Sequence, residues 1–484
     1  MQRGVVGQPD RSLCLEGTIE SASGCRSGCS GSRYSPGDLT FSNENGASFP
    51  GERARFVNLW TRKPATESGL KPSNSCPLCS SDPSTVHRMT DQNKLVANIW
   101  KLYAIQSCRW FLLLMPIVVL FFRENGLSLE QVFIVHAWYS ACVILFEVPS
   151  GYFADRLGRR RSLLFGSVFV SLGFAAYAFS YTFYEFLAAE FFIAVGAGFI
   201  SGSDSALLYD SLIQLNRQEE YQKIAGRLTS MSSFSEGVAG ILGGFMAVIS
   251  LRTPVIWQAW VMLLMIPLAW SLVEPKRELL EKGESSFRAI LKIVRYSLHG
   301  HKEVKWLILY SSLVGTSTLT IVWFVQPFME LVNVPLAWFG ISWAVLQFAV
   351  GVFAILAHRI ETWLGRKVSL VSLILISSAG YLLLSQLEVI WAGVLFFLFY
   401  LVRGINGPVL NDYINRCVES NIRATVLSVK SLIGRLMFMI LGPLAGWVAD
   451  VYSLGAALLL CGVIFLVFGI TFLFFLQRHQ ILSR

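Results

Sequence analysis

The stretch GYFADRLGRRRS, residues 151–162, places four arginines around a single acid, Asp155. A mostly apolar run of about 20 residues lies on each side, which is the length of a helix that crosses a lipid bilayer. A short turn this rich in arginine between two such runs is typical of a cytoplasmic loop of a membrane protein. The stretch therefore predicts a chain that crosses a membrane repeatedly.

The composition agrees with a membrane protein of many spans. Of the 484 residues, 54% are hydrophobic and 15% are charged, whereas about 25% of the residues of a soluble domain are charged. The net charge of +9 does not predict a nucleic-acid partner, because the basic residues lie in short breaks between apolar runs. No ATP-binding loop is present, so any transport must be driven by a gradient or by a partner.

Twelve apolar runs are long enough to cross a bilayer. They lie at 99–122, 130–152, 162–181, 185–209, 227–250, 254–273, 306–328, 337–357, 368–385, 389–411, 426–449 and 455–476. We predict an all-α membrane protein with twelve transmembrane helices. The longest break, 274–305, divides the chain into an N-terminal six-helix bundle over 96–273 and a C-terminal six-helix bundle over 306–477, followed by a cytoplasmic tail at 478–484.

The two predicted bundles are related in sequence. Residues 129–159 align with residues 336–366 without a gap, and both segments end in Leu-Gly-Arg. This internal repeat supports two pseudo-symmetric bundles, an arrangement that is frequent in transporters.

Charge sets the expected orientation. Basic residues crowd every second break, and the intervening breaks contain only Arg123 and Arg252. This bias predicts that both termini are cytoplasmic in a multi-pass protein of the cell membrane. Within the linker 274–305, the apolar residues of 287–298 can share one helical face, which predicts an amphipathic helix on the cytoplasmic membrane surface.

The first 95 residues differ from the rest. They are rich in Ser, Gly and Pro and have no long apolar run, so we predict a disordered N-terminal extension. Met89 precedes the first span as an ordinary start would, and we hypothesise that 1–88 is an upstream extension with a mis-assigned start. The CPLC sequence at 76–79 has the spacing of zinc ligands but lacks a second such pair, so we expect neither a metal site nor a cofactor.

Together with the twelve spans, GYFADRLGRRRS resembles the signature loop between the second and third helices of the major facilitator superfamily, G-x-L-A-D-R-x-G-R-K/R, with Phe153 in place of Leu. The sequence HRIETWLGRKVS (358–369) is similar to its degenerate second copy. The resemblance covers about 97–477 and implies the two-bundle fold of that superfamily. Residues 202–212 and 412–432 further resemble a bacterial branch loosely described as drug or sugar efflux.

This resemblance implies that the loop is a cytoplasmic latch that holds the two bundles together. Asp155 is expected against the N-terminus of helix 11, near Ala424 and Thr425, where free N–H groups favour an anion. Arg159 is expected to pair with Asp210. The predicted gate consists of Glu147, Gly151, Asp155, Arg156, Gly158, Arg159, Asp210 and Arg423. The alternative is that these arginines merely set the topology.

Polar and ionisable residues inside the spans are candidates for binding a substrate or a proton, because an ionisable group at mid-bilayer is costly unless it is paired or wet. They are Arg109, Glu190, Asp204, Tyr209, Glu236, Arg403 and Asn411. Asp204 could bind a proton or a cationic group, or could form a structural pair with a neighbouring base. We also expect Gly404, Gly407 and Pro408 to break helix 10 and free carbonyl groups toward the cavity.

The leading functional hypothesis is a secondary active transporter of a small organic solute that works by alternating access as a proton-coupled exporter. Residues 236–244 partly resemble the antiporter motif of the superfamily. One alternative is import of an organic anion bound by Arg109 and Arg403, and another is a transporter-like sensor or scaffold. Expected partners are the substrate, a proton or other ion and the bilayer, with the protein a monomer. Neither HExxH nor GxSxG is present, so we do not predict an enzyme.

Overall fold

The structure is a computed structural model that describes residues 83–275, 301–419 and 422–479. Of the disordered extension predicted at 1–95, residues 1–82 lie outside these described residues, and residues 83–95 belong to the first helix. The CPLC sequence, the amphipathic linker helix and residues 480–484 also lie outside. Within the described ranges, every secondary-structure element is helical, which confirms the all-α class.

The N-terminal bundle contains nine α-helical segments. They are α1 (Pro83–Trp110), α2 (Val118–Glu124), α3 (Leu129–Leu157), α4 (Arg159–Phe179), α5 (Phe183–Ile200), α6 (Ser203–Gln214), α7 (Tyr221–Ile249), α8 (Arg252–Leu263) and α9 (Met265–Ser271), with 3₁₀ turns at Met115–Ile117 and Gln218–Glu220.

The C-terminal bundle contains five. They are α10 (Lys302–Leu331), α11 (Ala337–Leu384), α12 (Phe396–Arg416), α13 (Arg423–Val451) and α14 (Leu454–Arg478), with a 3₁₀ helix at Ile390–Leu395 before α12. Large apolar side chains such as Ile249 and Ile355 are about four-fifths exposed, as expected for a surface that faces lipid rather than water.

Eleven segments of the described chain are long and apolar enough to cross a membrane. The difference from the predicted twelve arises at α11, whose 48 residues would extend about 72 Å as one helix, against a hydrocarbon core of about 30 Å. Gly365 interrupts this helix with φ 74° and ψ 161°. Counted as two arms that meet at Gly365, α11 contains both predicted spans, 337–357 and 368–385.

Several spans are broken at positions that the sequence did not indicate. The first span leaves the helix after Trp110 and resumes at Met115, and the fourth is interrupted at Ser201 and Gly202, where Gly202 has φ 77°. The predicted break in the tenth span is wrong, because the helix that contains this span, α12, continues through Pro408. A Cβ atom on Gly404 would lie 2.8 Å from the backbone oxygen of Val350, so this glycine permits close helix packing instead of a break.

The bundles pack through α3 against α13 and α7 against α11. We call the end of the molecule that carries residues 151–161 the motif end, and the opposite end the far end. Near the far end, a Cβ atom on Gly244 of α7 would lie 2.6 Å from the Cα of Gly340 of α11. Only glycine permits this backbone approach, so the bundles are closed at the far end.

Candidate functional site

The far end is held shut by side chains that bond across the bundles. The break after α1 leaves backbone groups without helical partners, and α10 satisfies two of them. The Gln326 side-chain oxygen accepts from the Val119 N–H at 2.8 Å, and its amide nitrogen donates to the Met115 carbonyl at 2.8 Å. An ion pair between Arg123 and Glu330 adds a contact at the surface.

Asp450, in the last turn of α13, adds a second far-end closure. Its carboxylate accepts from the N–H groups of Leu129 at 3.0 Å and Glu130 at 2.6 Å, at the N-terminus of α3. A carboxylate there satisfies free donors and interacts favourably with the helix dipole. Gly446 permits the approach, since a Cβ atom on it would lie 2.7 Å from the Cα of Glu130.

The same pattern, Gly-x-x-Ala-Asp, occurs at 151–155 and at 446–450. The helices α3 and α13 run antiparallel. Asp155, at the C-terminal end of α3, therefore lies at the end of the molecule where α13 begins, and Asp450, at the C-terminal end of α13, lies where α3 begins. Sequence reasoning selected Asp155 and missed Asp450. The repeated pattern was the available signal.

At the motif end, the expected contact of Asp155 with the N-terminus of the eleventh span, which is α13, is not formed in this structure. Asp155 is exposed and has no hydrogen bond or ion pair with any described residue. A Cβ atom on Gly151 would meet nothing within 4 Å. Arg423 donates to the carbonyl groups of Asn415 and Val418 in its own bundle. Across the described residues, hydrogen bonds between the bundles occur only from mid-depth to the far end.

Two further gate candidates make only local contacts. The Glu147 carbonyl accepts from the Ser150 hydroxyl at 3.0 Å. The Arg156 guanidinium lies 5.3 Å from the ring centre of Tyr152 on its own helix. Neither residue reaches the C-terminal bundle through a bond of the described chain.

The rest of the loop is anchored within the N-terminal bundle. Gly158 has φ 107°, a left-handed conformation that favours glycine, and an ion pair joins Arg159 to Asp210. The N–H groups of Arg159 and Arg160 donate to the Glu274 carboxylate at 2.9 and 2.7 Å. Glu274, which sequence reasoning did not select, therefore caps α4 and fixes the loop to the end of α9.

Arg109 and Asp204 form the central charge pair. Their closest side-chain atoms lie 3.6 Å apart, and the side chains are 25% and 28% exposed. The two helix breaks explain this position, because Arg109 lies at the end of α1 and Asp204 lies in the first turn of α6. The pair is thus partly accessible within the membrane-spanning region, where a solute could contact it.

The structure separates the other candidates. Asn411 accepts from the Lys430 ammonium at 2.7 Å, and Glu236 accepts from the side-chain amide of Gln347 across the bundles. Arg403 makes no hydrogen bond within the described chain. Tyr209 packs edge-on against Tyr221, with 5.3 Å between ring centres, and is not hydrogen-bonded to Asp204.

Glu190 lies in a separate group nearer the far end. Tyr177 donates a hydrogen bond of 2.6 Å to its carboxylate, and His136 Nδ1 lies 3.6 Å away. Sequence reasoning selected Glu190 and missed both partners. The signal for His136 was its place as the one histidine inside a predicted span, 130–152.

Comparison with known proteins identifies related chains. The family model described as Major Facilitator Superfamily matches residues 100–441. A tetracycline resistance protein, class H, of Pasteurella multocida is 25% identical over 70% of this chain and 83% of its own. The uncharacterized MFS-type transporter YxaM of Bacillus subtilis is 22% identical over 73% of this chain and 89% of its own. The crystal structure of the nucleoside transporter NupG superposes with a TM-score of 0.66 at 14% identity, covering 80% of this chain and 99% of that one.

Proposed function

The chain belongs to the Major Facilitator Superfamily, and from that premise we propose that it is a secondary active transporter that exports a small organic solute in exchange for protons. It is a multi-pass membrane protein of a transporter family and not an enzyme. The observation that carries the proposal is an asymmetry between the two ends. Among the described residues, hydrogen bonds join the bundles from mid-depth to the far end, and none joins them at the motif end. Such an asymmetry is what we expect of one state of an alternating-access cycle.

In this proposal, the two aspartates hold opposite states. Asp450 caps α3 when the far end is closed, and Asp155 caps α13 when the motif end is closed. Each carboxylate gains a helix N-terminus in one state and water in the other, so the two aspartates shift the two-state equilibrium in opposite directions and balance each other.

The solute would bind between the bundles at Arg109 and Asp204, with Arg403 and Asn411 contributing from the C-terminal bundle. The first two residues are about one-quarter exposed, and polar groups at this depth are functional candidates because lipid cannot solvate them. Charged and amide side chains of this kind would bind the polar groups of a solute.

Two observations support outward transport. The arginine-rich motif end is expected to face the cytoplasm, so the end where no bond joins the bundles among the described residues would accept a solute from inside the cell. The similarity to a tetracycline resistance protein agrees, because a membrane transporter that confers resistance lowers the concentration of the drug inside the cell.

Everted membrane vesicles that contain the chain test the proposal directly. Respiration acidifies their lumen, and an exchanger should release protons when a transported compound is added. We would add a panel of compounds, beginning with tetracycline, one at a time. We expect some of them to dissipate the pH difference across the membrane in vesicles that contain the chain and not in vesicles that lack it. A uniform lack of proton release and of solute flux across the panel would instead favour the transporter-like sensor.

A second candidate function is import of an organic anion. Three cations of the C-terminal bundle, Arg403, Lys430 and Arg435, have no carboxylate within ion-pair distance in the described chain. An anionic solute would neutralise them. Uptake of radiolabelled benzoate into cells that express the chain, driven by a proton gradient, would favour import over export.

We expect Asp155→Asn to slow transport by about fivefold, because the variant loses about 1 kcal/mol of charge–dipole stabilisation of the motif-end-closed state. The measurement is solute flux at matched amounts of protein in the membrane. Asp412→Asn is the control, since Asp412 is an exposed acid that pairs only within its own helix, with Arg416. Equal flux in wild type and Asp155→Asn would contradict the latch.

Asp450→Asn should have the opposite effect on the state of the protein. Removing the charge lowers the stability of the far-end-closed state by about 1 kcal/mol, so the far end should open more often. Alkylation of a cysteine placed at Glu130, which is covered at the far end by Gly446, should become about fivefold faster. An unchanged rate would show that Asp450 does not hold this end closed.

A further inference from the structure

A buried group of polar and aromatic side chains lies nearer the far end than the Arg109–Asp204 pair. Tyr177 donates to Glu190 at 2.6 Å, and His136 Nδ1 lies 3.6 Å from the same carboxylate oxygen. His136 stacks on Trp323, with 3.5 Å between ring centres and 19° between ring planes. Tyr177, His136 and Glu190 belong to α4, α3 and α5, whereas Trp323 belongs to α10 of the other bundle.

This group has fewer hydrogen bonds than its buried polar atoms would need in a permanent structural element. Glu190 is 6% exposed, and His136 is 8% exposed. The Nε2 atom of His136 is buried without a hydrogen-bond partner, and Nε1 of Trp323 is too. A buried carboxylate with one strong hydrogen bond is costly when charged and much less so when protonated. Protonation therefore changes the stability of this closed state.

The group lies where the bundles meet. Beside the His136–Trp323 stack, Phe133 of α3 contacts Phe324 of α10 with 5.0 Å between ring centres. One turn farther along α10, Gln326 bonds the N-terminal bundle. A change of charge at Glu190 or His136 thus acts on contacts that exist only while the far end is closed.

Few other titratable groups face this site. From α3, Tyr139 and Cys142 lie within electrostatic range of Glu190, and from α4 Tyr177 bonds to it directly. Arg109 from the first span and Arg435 from α13 act electrostatically on Tyr139. Tyr139 is therefore near enough to interact electrostatically both with Glu190 and with the central arginines.

We propose that Glu190 and His136 form the proton-binding site of the exchanger, and that the His136–Trp323 stack couples its protonation to the far-end gate. This rests on the proposed function and names the site of its coupling ion. When the far end is open, Glu190 is hydrated and takes a proton from the water on that side. The neutral acid and the neutral imidazole are then buried as the bundles close, with His136 on Trp323.

Release completes the proton balance. The proton leaves the Glu190 carboxylate past Tyr139 to water at the motif end, and the carboxylate that remains is charged in a nearly dry site. That charge disfavours the closed far end, so the protein opens on that side again, now carrying the solute. One proton enters from the far side and leaves at the motif end in each cycle.

The far-end distance as a function of pH tests this site without a substrate. Spin labels at Tyr184→Cys of the N-terminal bundle and Trp391→Cys of the C-terminal bundle lie on exposed positions, in a full-length chain whose native cysteines are replaced by serine. We expect the short distance to dominate at pH 5.5 and a longer distance to grow toward pH 9. Glu190→Gln should keep the short distance at every pH, since glutamine mimics the neutral acid.

Glu185→Gln is the matched control. Glu185 lies on the same helix, α5, but it is at the surface and accepts from the N–H groups of Tyr181 and Thr182, which immediately precede that helix. This variant should retain the pH response of the wild type. A pH response that survives in Glu190→Gln, or is lost equally in Glu185→Gln, would overturn the proposal.

A chemical readout tests the same site in the unmodified chain. Dicyclohexylcarbodiimide reacts with protonated carboxyl groups in apolar surroundings, and mass spectrometry locates the product. We expect labelling at Glu190 that falls as the pH rises. Trp323→Leu should keep the pH dependence of labelling at Glu190. In this variant, however, the far-end distance should no longer change with pH. Labelling of Glu236 or Asp204 in place of Glu190 would assign the proton to another site.

The outcomes separate this proposal from the proposed function. If solute flux is present and still releases protons in Glu190→Gln, the exchanger stands and the assigned proton site is wrong. If no solute is transported but the far-end distance depends on pH through Glu190, the site stands and the exchange function is wrong.

Discussion

Gly244→Val is expected to abolish net transport by preventing the far end from closing. In the closed state, even a Cβ atom on Gly244 would lie 2.6 Å from Gly340 Cα and 2.7 Å from Gly340 N. These neighbours are backbone atoms of α11, so they cannot move aside as a flexible side chain could. Overpacking costs about 1–3 kcal/mol, which shifts a two-state equilibrium by about 5- to 150-fold. The cost falls on one state only, because the clash disappears when the bundles separate.

Flux and the far-end label distance should be measured together for this variant. We expect flux below about one-tenth of wild type and a distance distribution dominated by the open form. Gly226→Val is the control on the same helix, since Gly226 is exposed and a Cβ atom there meets nothing within 4 Å. A normal flux in Gly244→Val would mean that α7 and α11 do not approach this closely during the cycle.

Asp204→Asn should cause a similarly large loss of flux. The substitution keeps the shape of the side chain but removes the charge that lies 3.6 Å from the Arg109 guanidinium. Breaking a fully buried ion pair by removing one partner costs about 3–5 kcal/mol, and the partial exposure of this pair reduces that penalty. We therefore expect a folded protein whose transport falls by more than about tenfold, which corresponds to about 1.4 kcal/mol at the transport barrier.

A charge-neutral double variant separates a binding pair from a structural pair. Arg109→Gln together with Asp204→Asn removes both charges and leaves no isolated ion in the membrane. If the pair only stabilises the fold, the double variant should regain both thermal stability and flux. We expect it to regain stability, measured by the temperature of unfolding in detergent, and to remain inactive. Recovery of flux would assign Arg109 and Asp204 a structural role.

The fold could be predicted in outline because apolar length and loop charge depend on local sequence. The 48-residue α11 and the breaks near Trp110 and at Gly202 could not, since they depend on how helices pack. Gly404 illustrates the limit. A Gly–Pro region in a span is compatible either with a break or with close packing, and only the neighbouring Val350 backbone decides between them.

The candidate site was predictable as a set of charges but not as a set of pairs. Arg109, Asp204 and Glu190 stand out because each is ionisable inside an apolar run. Their partners come from other helices, and sequence spacing does not determine which helices meet. Asp450 and His136 were missed for different reasons. Asp450 lies at the end of a span, where an acid is unremarkable, and His136 does not belong to the permanently charged residue types that stand out inside an apolar run.

The central claim is that the two ends of the molecule close alternately. The direct measurement is the distance between spin labels across each end of the same protein, with Tyr184→Cys and Trp391→Cys at the far end and Gln222→Cys and Trp363→Cys at the motif end, all exposed positions. We expect opposite changes, so that Asp450→Asn lengthens the far-end distance and shortens the motif-end distance while Asp155→Asn does the reverse. Two distances that stay fixed, or that lengthen together, would contradict alternating closure.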